Sequence, residues 1–348
     1  MRRRRQRVLR SVAVAAIAVG AIAASARAQD EDTGTPKLAS IALFLERSYF
    51  SPVTPSGKNL LFEGQATGHY FIHNTLNDAV WQKEGGWKFV TPVTMSFIVR
   101  MSTDRSSPVR TPAYKIRPFY LQSIHLRRDT IDLNRFRLFE IGVGVTHYSN
   151  GQSGCTYQGF SPSPDTSKDE CDVTNPTLAA RRITNTIDGD FSTTFLPVAL
   201  HYRRGHLSKP LSPVDHQLTL GAELQIHPLQ KWAPGAMNGA QAAQYGQHQY
   251  SLNAELERRY FPKVLPGVGR VAADYTERFG GGAPKHLRAE TVEASYVLDR
   301  VEHLGAFVRG HWGYDYYNIQ WQSTKPFVAF GFMWDLGRLD VLNTDTSR

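Results

Sequence analysis

The sequence predicts an all-β protein, an antiparallel transmembrane β-barrel of about twelve strands. Three observations support this fold class. Segments of strictly alternating apolar and polar residues recur along most of the 348-residue chain, as expected for strands with one apolar face. The apolar faces extend over about ten residues per strand, which is the length that crosses a bilayer. The opposite faces carry charged residues, which the packed core of a β-sandwich would not tolerate.

Residues 1–28 are predicted to form an export signal. An arginine-rich segment precedes an apolar stretch, and Ala26-Arg27-Ala28 supplies a cleavage site. The net charge is +9, but seven arginines and no acidic residue lie in this segment, so the remainder carries +2. A charge this small does not favour nucleic acid as a partner. In an exported chain, Cys155 and Cys171 are expected to form a local disulfide.

The alternation predicts a barrel over residues 29–336 and a polar tail at 337–348. The first two strands have the weakest pattern, and an even number of strands is typical of such barrels. The predicted strands occupy residues 39–50, 59–74, 87–103, 113–127, 134–150, 191–204, 216–227, 248–260, 268–278, 287–298, 304–318 and 325–336.

The apolar face of each strand is predicted to contact lipid. In the fifth strand the odd-numbered residues from Phe139 to Val145 are apolar, and the even-numbered residues between them are glutamate and glycine. The strands at 216–227 and 325–336 repeat the pattern with even-numbered apolar residues. Aromatic residues near strand ends are predicted to form interfacial girdles. These aromatic residues are Tyr314, Tyr316, Trp321 and Trp334.

Loop lengths predict how the barrel is oriented. In outer-membrane barrels, short turns lie on the periplasmic side and long loops lie outside the cell. Residues 128–133 are predicted to form a short turn, and residues 151–190 form the longest loop. The fifth strand therefore ends on the extracellular side, as does the loop at 104–111.

A histidine and a serine lie at the extracellular end of the fifth strand. His147 and Ser149 continue its lipid-facing apolar face, and a base beside a hydroxyl is the minimum set for nucleophilic catalysis. Asp190 shares the parity of the apolar residues 196–202 in the next strand and is predicted to project from the same face. A carboxylate there would fix the histidine tautomer. Asn185 is a second candidate with the opposite parity.

Two segments resemble the sequence signature of outer-membrane phospholipase A, a family of calcium-dependent acyl hydrolases on twelve-stranded barrels. The segments are His147-Tyr148-Ser149-Asn150-Gly151-Gln152-Ser153 and Ser106-Ser107-Pro108-Val109-Arg110, and the region from the first residue to the last covers about 50 residues. The resemblance implies that Ser149 is the nucleophile and His147 the base. It also implies that the N–H group of Gly151 contributes to the oxyanion hole. Asp190 is aligned with the family's supporting asparagine.

The same resemblance implies a cofactor and partners. Calcium would be bound by the hydroxyl of Ser106 and the main-chain oxygen of Gln152, and hard oxygen ligands suit this ion. The site would be completed in a homodimer that acts on membrane phospholipids. The family's remaining calcium ligands have no counterpart here, because residues 154–190 form a much larger loop.

Two other functions compete with a phospholipase. Lipid A deacylases carry a similar His-x-Ser motif at a barrel rim, but they are about half as long as this chain. A porin or structural barrel would use its inward-facing charges to line water, whereas a closed enzyme barrel would pair them in a hydrogen-bonded plug. A twelve-stranded barrel is narrow, which favours the plug. The charges predicted to face inward are Glu140, Glu223, Glu255, Arg309, His311 and Asp315.

Overall fold

A computed structural model of the chain describes most of the predicted barrel. The predicted signal, the polar tail, Ser106 and Cys171 lie outside the described residues. The described residues are 46–53, 60–76, 84–102, 110, 112–129, 132, 134–152, 154–159, 176–187, 189–207, 214–260, 266–283, 287–298, 304–317, 320–324 and 326–334.

The strands within these residues close into a twelve-stranded antiparallel barrel, which confirms the predicted fold class. Each strand pairs with its neighbours in sequence, and the first strand pairs with the last. The strands are β1 (Ser48–Val53), β2 (Leu60–Asn74), β3 (Gly86–Ser102), β4 (Ala113–Arg128), β5 (Arg135–Ser149), β6 (Ser192–Leu207), β7 (Val214–Ile226), β8 (His248–Tyr260), β9 (Gly267–Phe279), β10 (Leu287–Leu298), β11 (Leu304–Gly313) and β12 (Phe327–Trp334).

Two short helices lie in loops at one end of the barrel. Helix α1 spans Pro176–Ala179 in the longest loop, and α2 spans Gly239–Tyr245 between β7 and β8. The side chain of Asn238 accepts a hydrogen bond from the backbone of Gln241, whose own side chain bonds back to the Asn238 backbone. This capping box satisfies backbone groups at the start of α2. Neither helix is long and apolar enough to cross a membrane.

The predicted girdle is wrong for the aromatic residues that follow β11. The strand ends at Gly313 and not at residue 318, and Gly313 has a φ of +112° that side chains with a Cβ rarely adopt. The chain then turns inward, so the exposed fraction of Tyr314 is 5% and that of Trp321 is 0%. The hydroxyl of Tyr316 donates a hydrogen bond to Glu63 inside the barrel. These rings therefore pack inside the protein and not against lipid.

The outward face of the barrel is a band of exposed apolar side chains. Met95 on β3, Val143 on β5, Leu220 on β7, Val271 on β9 and Phe332 on β12 are each 45–58% exposed. A band of this kind around a closed barrel is typical of proteins that span the outer membrane. The lipid-facing parity predicted for β5, β7 and β12 is confirmed by the exposure of Val143, Leu220 and Phe332.

Ion pairs fill the lumen among the described residues. Arg100 lies 2.7 Å from a carboxylate oxygen of Asp315 and also contacts Glu63, and all three side chains are no more than 4% exposed. Arg309 pairs with Glu293 at 2.7 Å. The side chains predicted to face inward do so: Glu140, Glu223, Glu255, Arg309, His311 and Asp315. The lumen is therefore the hydrogen-bonded plug expected of a closed barrel.

Arg100→Met should destabilise the barrel strongly. The substitution leaves the carboxylates of Glu63 and Asp315 buried without their cation, which costs about 3–5 kcal/mol. Urea titration of the protein refolded into lipid vesicles measures this loss of unfolding free energy. Arg181→Met, at an exposed loop position, is the control, and its effect should stay within about 0.5 kcal/mol. Equal effects of both substitutions would contradict a stabilising role for the Arg100 ion pairs.

Candidate active site

Ser149 and His147 are half-buried on the outward face at the end of β5. The period of a strand puts them on one face, about 6.6 Å apart along the chain. In the described part of the chain, no hydrogen bond joins the two side chains. Catalytic hydrogen bonds are often long when no substrate is bound, so this spacing is compatible with a nucleophile and its base.

The ring of His147 is held by the neighbouring strand. Thr194 is its cross-strand partner on β6, and His147 Nδ1 lies 3.0 Å from Thr194 Oγ1. The Thr194 hydroxyl donates to the carbonyl oxygen of Pro234 at 2.9 Å. A hydroxyl has one hydrogen and a carbonyl has none, so Thr194 must accept its second hydrogen bond from Nδ1–H. The neutral ring consequently carries its proton on Nδ1, and Nε2 is left as the basic nitrogen.

The β7–β8 loop lies against the same histidine. Ser192 donates a hydrogen bond to the carbonyl oxygen of Gly235 at 2.8 Å, so two hydroxyls of β6 hold consecutive residues of this loop. Gly235 has a φ of +66°, and a Cβ at this position would lie 2.7 Å from His147 Cε1. Glycine is therefore required both for the backbone conformation and for the close approach to the ring.

Asn150 joins the residue after Ser149 to the end of the long loop. Its side chain donates to the carbonyl oxygen of Gly189 at 2.6 Å and accepts from the N–H group of Phe191 at 2.9 Å. It is 2% exposed, so these hydrogen bonds are shielded from water. Gly151 follows with a φ of +64° and is exposed on the surface of the barrel, two residues after Ser149.

Asp190 does not contact His147. The predicted parity does not apply to Asp190, because it precedes the start of β6 at Ser192, and the strand register places Thr194 opposite the histidine. The Asp190 carboxylate accepts a hydrogen bond from Thr156 at 2.6 Å within the long loop. Asn185 also lies in this loop, where its side chain accepts from the N–H group of Ile187 at 3.3 Å.

An aromatic core supports the site from inside the barrel. Tyr148 points inward between the two candidate residues, and its ring centroid lies 6.0 Å from that of Phe191, which in turn packs on Trp321 at 4.5 Å. His227 shares a hydrogen bond of 2.8 Å with Thr193 beside this core. Burial lowers the pKa of His227 to about 3, so the ring is neutral at neutral pH and adds no charge to the core.

The predicted disulfide and calcium ligands are described only in part. Cys155 is disulfide-bonded, and the chain's one other cysteine, Cys171, lies outside the described residues. Gln152 is exposed beside Gly151, and Ser106 also lies outside the described residues. The main-chain oxygen of Gln152 is chemically suited to calcium. This ion takes about six to eight oxygen ligands, so a single described oxygen does not define a calcium site.

Parity alone did not reveal Thr194, Asn150 and Gly235. Thr194 and Asp190 are both even-numbered, so parity does not distinguish them. The strand register is needed to identify which residue of β6 lies opposite His147. A loop of about forty residues separates β5 from β6, and no turn motif fixes the register across it. The contact with Gly235 comes from a loop more than eighty residues beyond His147, which a local pattern does not predict.

The fold and the site together define a closed, lipid-facing β-barrel with a serine and an oriented histidine on its outer surface. No protein-family model matches the chain, and no curated protein matches its sequence. The chain is similar in structure to outer membrane phospholipase A from Escherichia coli, with 11% identity, a TM-score of 0.49 and coverage of 87% of this chain and 98% of that one.

Two further solved structures show a similar barrel. The calcium-bound dimer of Salmonella typhi outer membrane phospholipase (OMPLA) has 12% identity, a TM-score of 0.47 and coverage of 87% of this chain and 98% of that one. The beta domain of the Bordetella autotransporter BrkA has 9% identity, a TM-score of 0.31 and coverage of 83% and 97%. At such low identities and TM-scores these likenesses do not decide function, which has to follow from the chain's own residues.

Asn150→Ala should loosen the end of the long loop. The substitution leaves the buried N–H group of Phe191 and the carbonyl group of Gly189 without partners, at a cost of about 1–3 kcal/mol each. Limited trypsin digestion measures the effect, because Arg181 and Arg182 are exposed in this loop. The variant should be cut faster there than the wild type. Gln158→Ala, at an exposed position of the loop, is the control. Equal cutting of both variants would contradict the role of the Asn150 hydrogen bonds in holding the end of the loop.

Proposed function

We propose that the protein is an outer-membrane acyl hydrolase that cleaves the acyl ester bonds of phospholipids, with Ser149 as nucleophile and His147 as base. One observation carries this proposal. Thr194 accepts a hydrogen bond from Nδ1–H of His147, so Nε2 of the neutral ring carries no proton. Ser149 lies two residues further along the strand, on the same face as this histidine. A base in that tautomer is able to accept the proton of a serine hydroxyl.

The proposed reaction has two steps. In the first, Ser149 Oγ attacks the ester carbonyl carbon while His147 Nε2 accepts the hydroxyl proton. The tetrahedral intermediate collapses, the ester C–O bond breaks, and the proton passes to the leaving lysophospholipid oxygen. In the second, water attacks the acyl-serine while His147 Nε2 accepts a proton from it; the bond between the acyl carbon and Ser149 Oγ then breaks, the proton passes from His147 to Oγ, and fatty acid leaves. The N–H group of Gly151 is proposed to donate to the oxyanion, which is the charge that such donors stabilise.

The position of the site supports a lipid substrate. Both side chains face outward, in line with the exposed apolar band that surrounds the barrel. They lie at the end of β5, and the end of a membrane-spanning strand is expected near the depth where a bilayer changes from hydrocarbon to headgroups. Phospholipid ester groups occupy that depth, whereas a solute in the lumen is separated from the site by the barrel wall. The lumen is also filled by ion pairs, which does not favour a porin.

Calcium and a second copy of the chain belong to the same proposal. Ser106 and Gln152 are the residues proposed to hold Ca²⁺ through oxygen atoms, on the strength of the sequence motifs they share with the phospholipase family. When bound, the ion would supply positive charge near the developing oxyanion. A homodimer is proposed to complete the calcium site, with the site on the outer leaflet side of the membrane.

Ser149→Ala should abolish hydrolysis. Release of fatty acid from mixed micelles of phosphatidylcholine by the refolded protein is measured with Ca²⁺ and with a chelator. The wild type should release fatty acid only with Ca²⁺, and the loss in the variant should be at least about a thousandfold because the nucleophile is missing. Ser123→Ala is the matched control, since Ser123 lies on the outward side of β4 opposite Ile141, far from the site.

Three results would speak against parts of this assignment. Wild-type rates in Ser149→Ala would exclude Ser149 as the nucleophile. Equal release with the chelator would exclude calcium dependence. Release of fatty acid from lipid A but not from phosphatidylcholine would identify the substrate as lipid A.

Thr194→Val should lower kcat and leave KM unchanged. The substitution keeps the shape of the side chain but removes the oxygen that accepts from His147 Nδ1–H. Loss of one neutral hydrogen bond of about 1 kcal/mol corresponds to about a fivefold decrease in rate. Thr194→Ser retains the hydroxyl and should restore the rate. Steady-state kinetics on a phospholipid substrate, measured across the pH range, separate this positioning role from a loss of folded protein.

Asp190→Asn is the comparison for Thr194→Val. The sequence places Asp190 in the orienting role, whereas its carboxylate contacts Thr156 within the long loop. If Thr194 orients the base, Asp190→Asn should retain nearly the wild-type kcat. A larger decrease in Asp190→Asn than in Thr194→Val would return the orienting role to Asp190.

A further inference from the structure

A pair of histidines lies at the end of the barrel opposite the Ser149 site. His206 on β6 and His216 on β7 are direct cross-strand partners, and their rings stack with centroids 5.3 Å apart and an interplanar angle of 13°. His206 is twelve residues along β6 from Thr194, which corresponds to roughly 40 Å. The two sites are therefore separate and occupy opposite rims of the barrel.

Two carboxylates surround the histidine pair. Asp215 Oδ2 lies 3.0 Å from His216 Nδ1, and Asp132 Oδ2, in the turn between β4 and β5, lies 4.0 Å from His206 Nε2. One nitrogen or oxygen from each of His206, Asp215 and His216 lies within 4.8 Å of the other two. These side chains are 30–55% exposed, so ions in the aqueous phase can reach them.

We propose that His206, His216 and Asp215 form a binding site for a divalent transition metal such as Zn²⁺. Two imidazoles and a carboxylate are ligands that Zn²⁺ favours, whereas calcium requires a shell of oxygens. Ligands of a tetrahedral Zn²⁺ lie about 3.3 Å from one another, so small side-chain rotations close the cluster around an ion. Nε2 of His206 faces the carboxylate of Asp132, whereas its Nδ1 is buried and has no hydrogen-bond partner within the described residues.

Asp132 is the natural fourth ligand. The same oxygen that approaches His206 also pairs with Arg135 Nε at 3.0 Å, so the carboxylate is already held next to the histidine pair. An ion bound by all four residues would link β6, β7 and the β4–β5 turn at one rim. Because it binds the folded barrel and not separated strands, it would raise the stability of this rim. This site does not depend on the proposed hydrolase activity.

Titration of Zn²⁺ into the refolded, tag-free protein tests the proposal. Isothermal titration calorimetry should show saturable binding of one ion per chain, and Co²⁺ should produce the visible absorption of a site with nitrogen and oxygen ligands. His206→Ala and His216→Ala should each raise Kd at least about tenfold. His125→Ala is the matched control, because this histidine faces outward near the same rim of β4 and packs on Trp87 with ring centroids 4.9 Å apart.

Asp215→Asn provides a second variant that keeps both rings and should also weaken Zn²⁺ binding. Heat-modifiable migration on gels shows that each variant is a folded barrel. Zn²⁺ should also raise the unfolding temperature of the wild type and of His125→Ala but not that of the His206→Ala, His216→Ala double variant. Failure of the wild type to bind Zn²⁺, or equal affinity in the double variant, would overturn the proposed site. Loss of hydrolysis with Zn²⁺ binding intact would bear only on the proposed function.

Discussion

Closure of the β-sheet is the constraint on which the rest of this structure depends. Hydrocarbon offers no hydrogen bonds, so every backbone N–H and C=O group of a spanning strand must pair with a neighbouring strand. β1 meets that condition by pairing with β12. Once the sheet is closed, alternate side chains must face lipid or lumen, which explains both the exposed apolar band and the buried ion pairs around Arg100. The side chains of His147 and Ser149 lie on the outer face of the barrel because both are odd-numbered residues of β5, like the outward-facing Val143.

Much of the fold follows from the sequence because a period of two is a local property. The alternation of β5 and β7 is read from neighbouring residues, and the sides they assign to Val143 and Glu140 agree with the structure. The alternation does not predict the inward turn after Gly313, because aromatic residues suit both a lipid interface and an aromatic core. The positive φ of Gly313, which turns the chain inward, distinguishes an aromatic core from a lipid interface here. Parity gives the side of a residue, but neither its height on the strand nor its cross-strand partner.

The candidate site shows the same division between local and long-range information. The serine and the histidine lie within three residues, so one strand places both of them. The residue whose hydroxyl contacts the histidine ring lies on the next strand, beyond a loop whose length conceals the register, and it is a threonine where parity predicts a carboxylate. Thr194 is neutral, which suits a rim in contact with lipid, since an ion pair there would carry a desolvation cost. Its hydroxyl acts as a link between imidazole and loop because it accepts from one and donates to the other.

That link makes the protonation pattern of His147 dependent on the conformation of a loop. With Pro234 in place, the threonine hydrogen points away from the imidazole. If the β7–β8 loop lifts, the hydroxyl loses this acceptor and can rotate to donate to Nδ1, which moves the ring proton to Nε2. Under the proposed function, a histidine in that tautomer would not serve as a base for Ser149. Docking of the β7–β8 loop would then set whether Nε2 of His147 is available to accept a proton, and the proposed hydrolase would be switched without the movement of a strand.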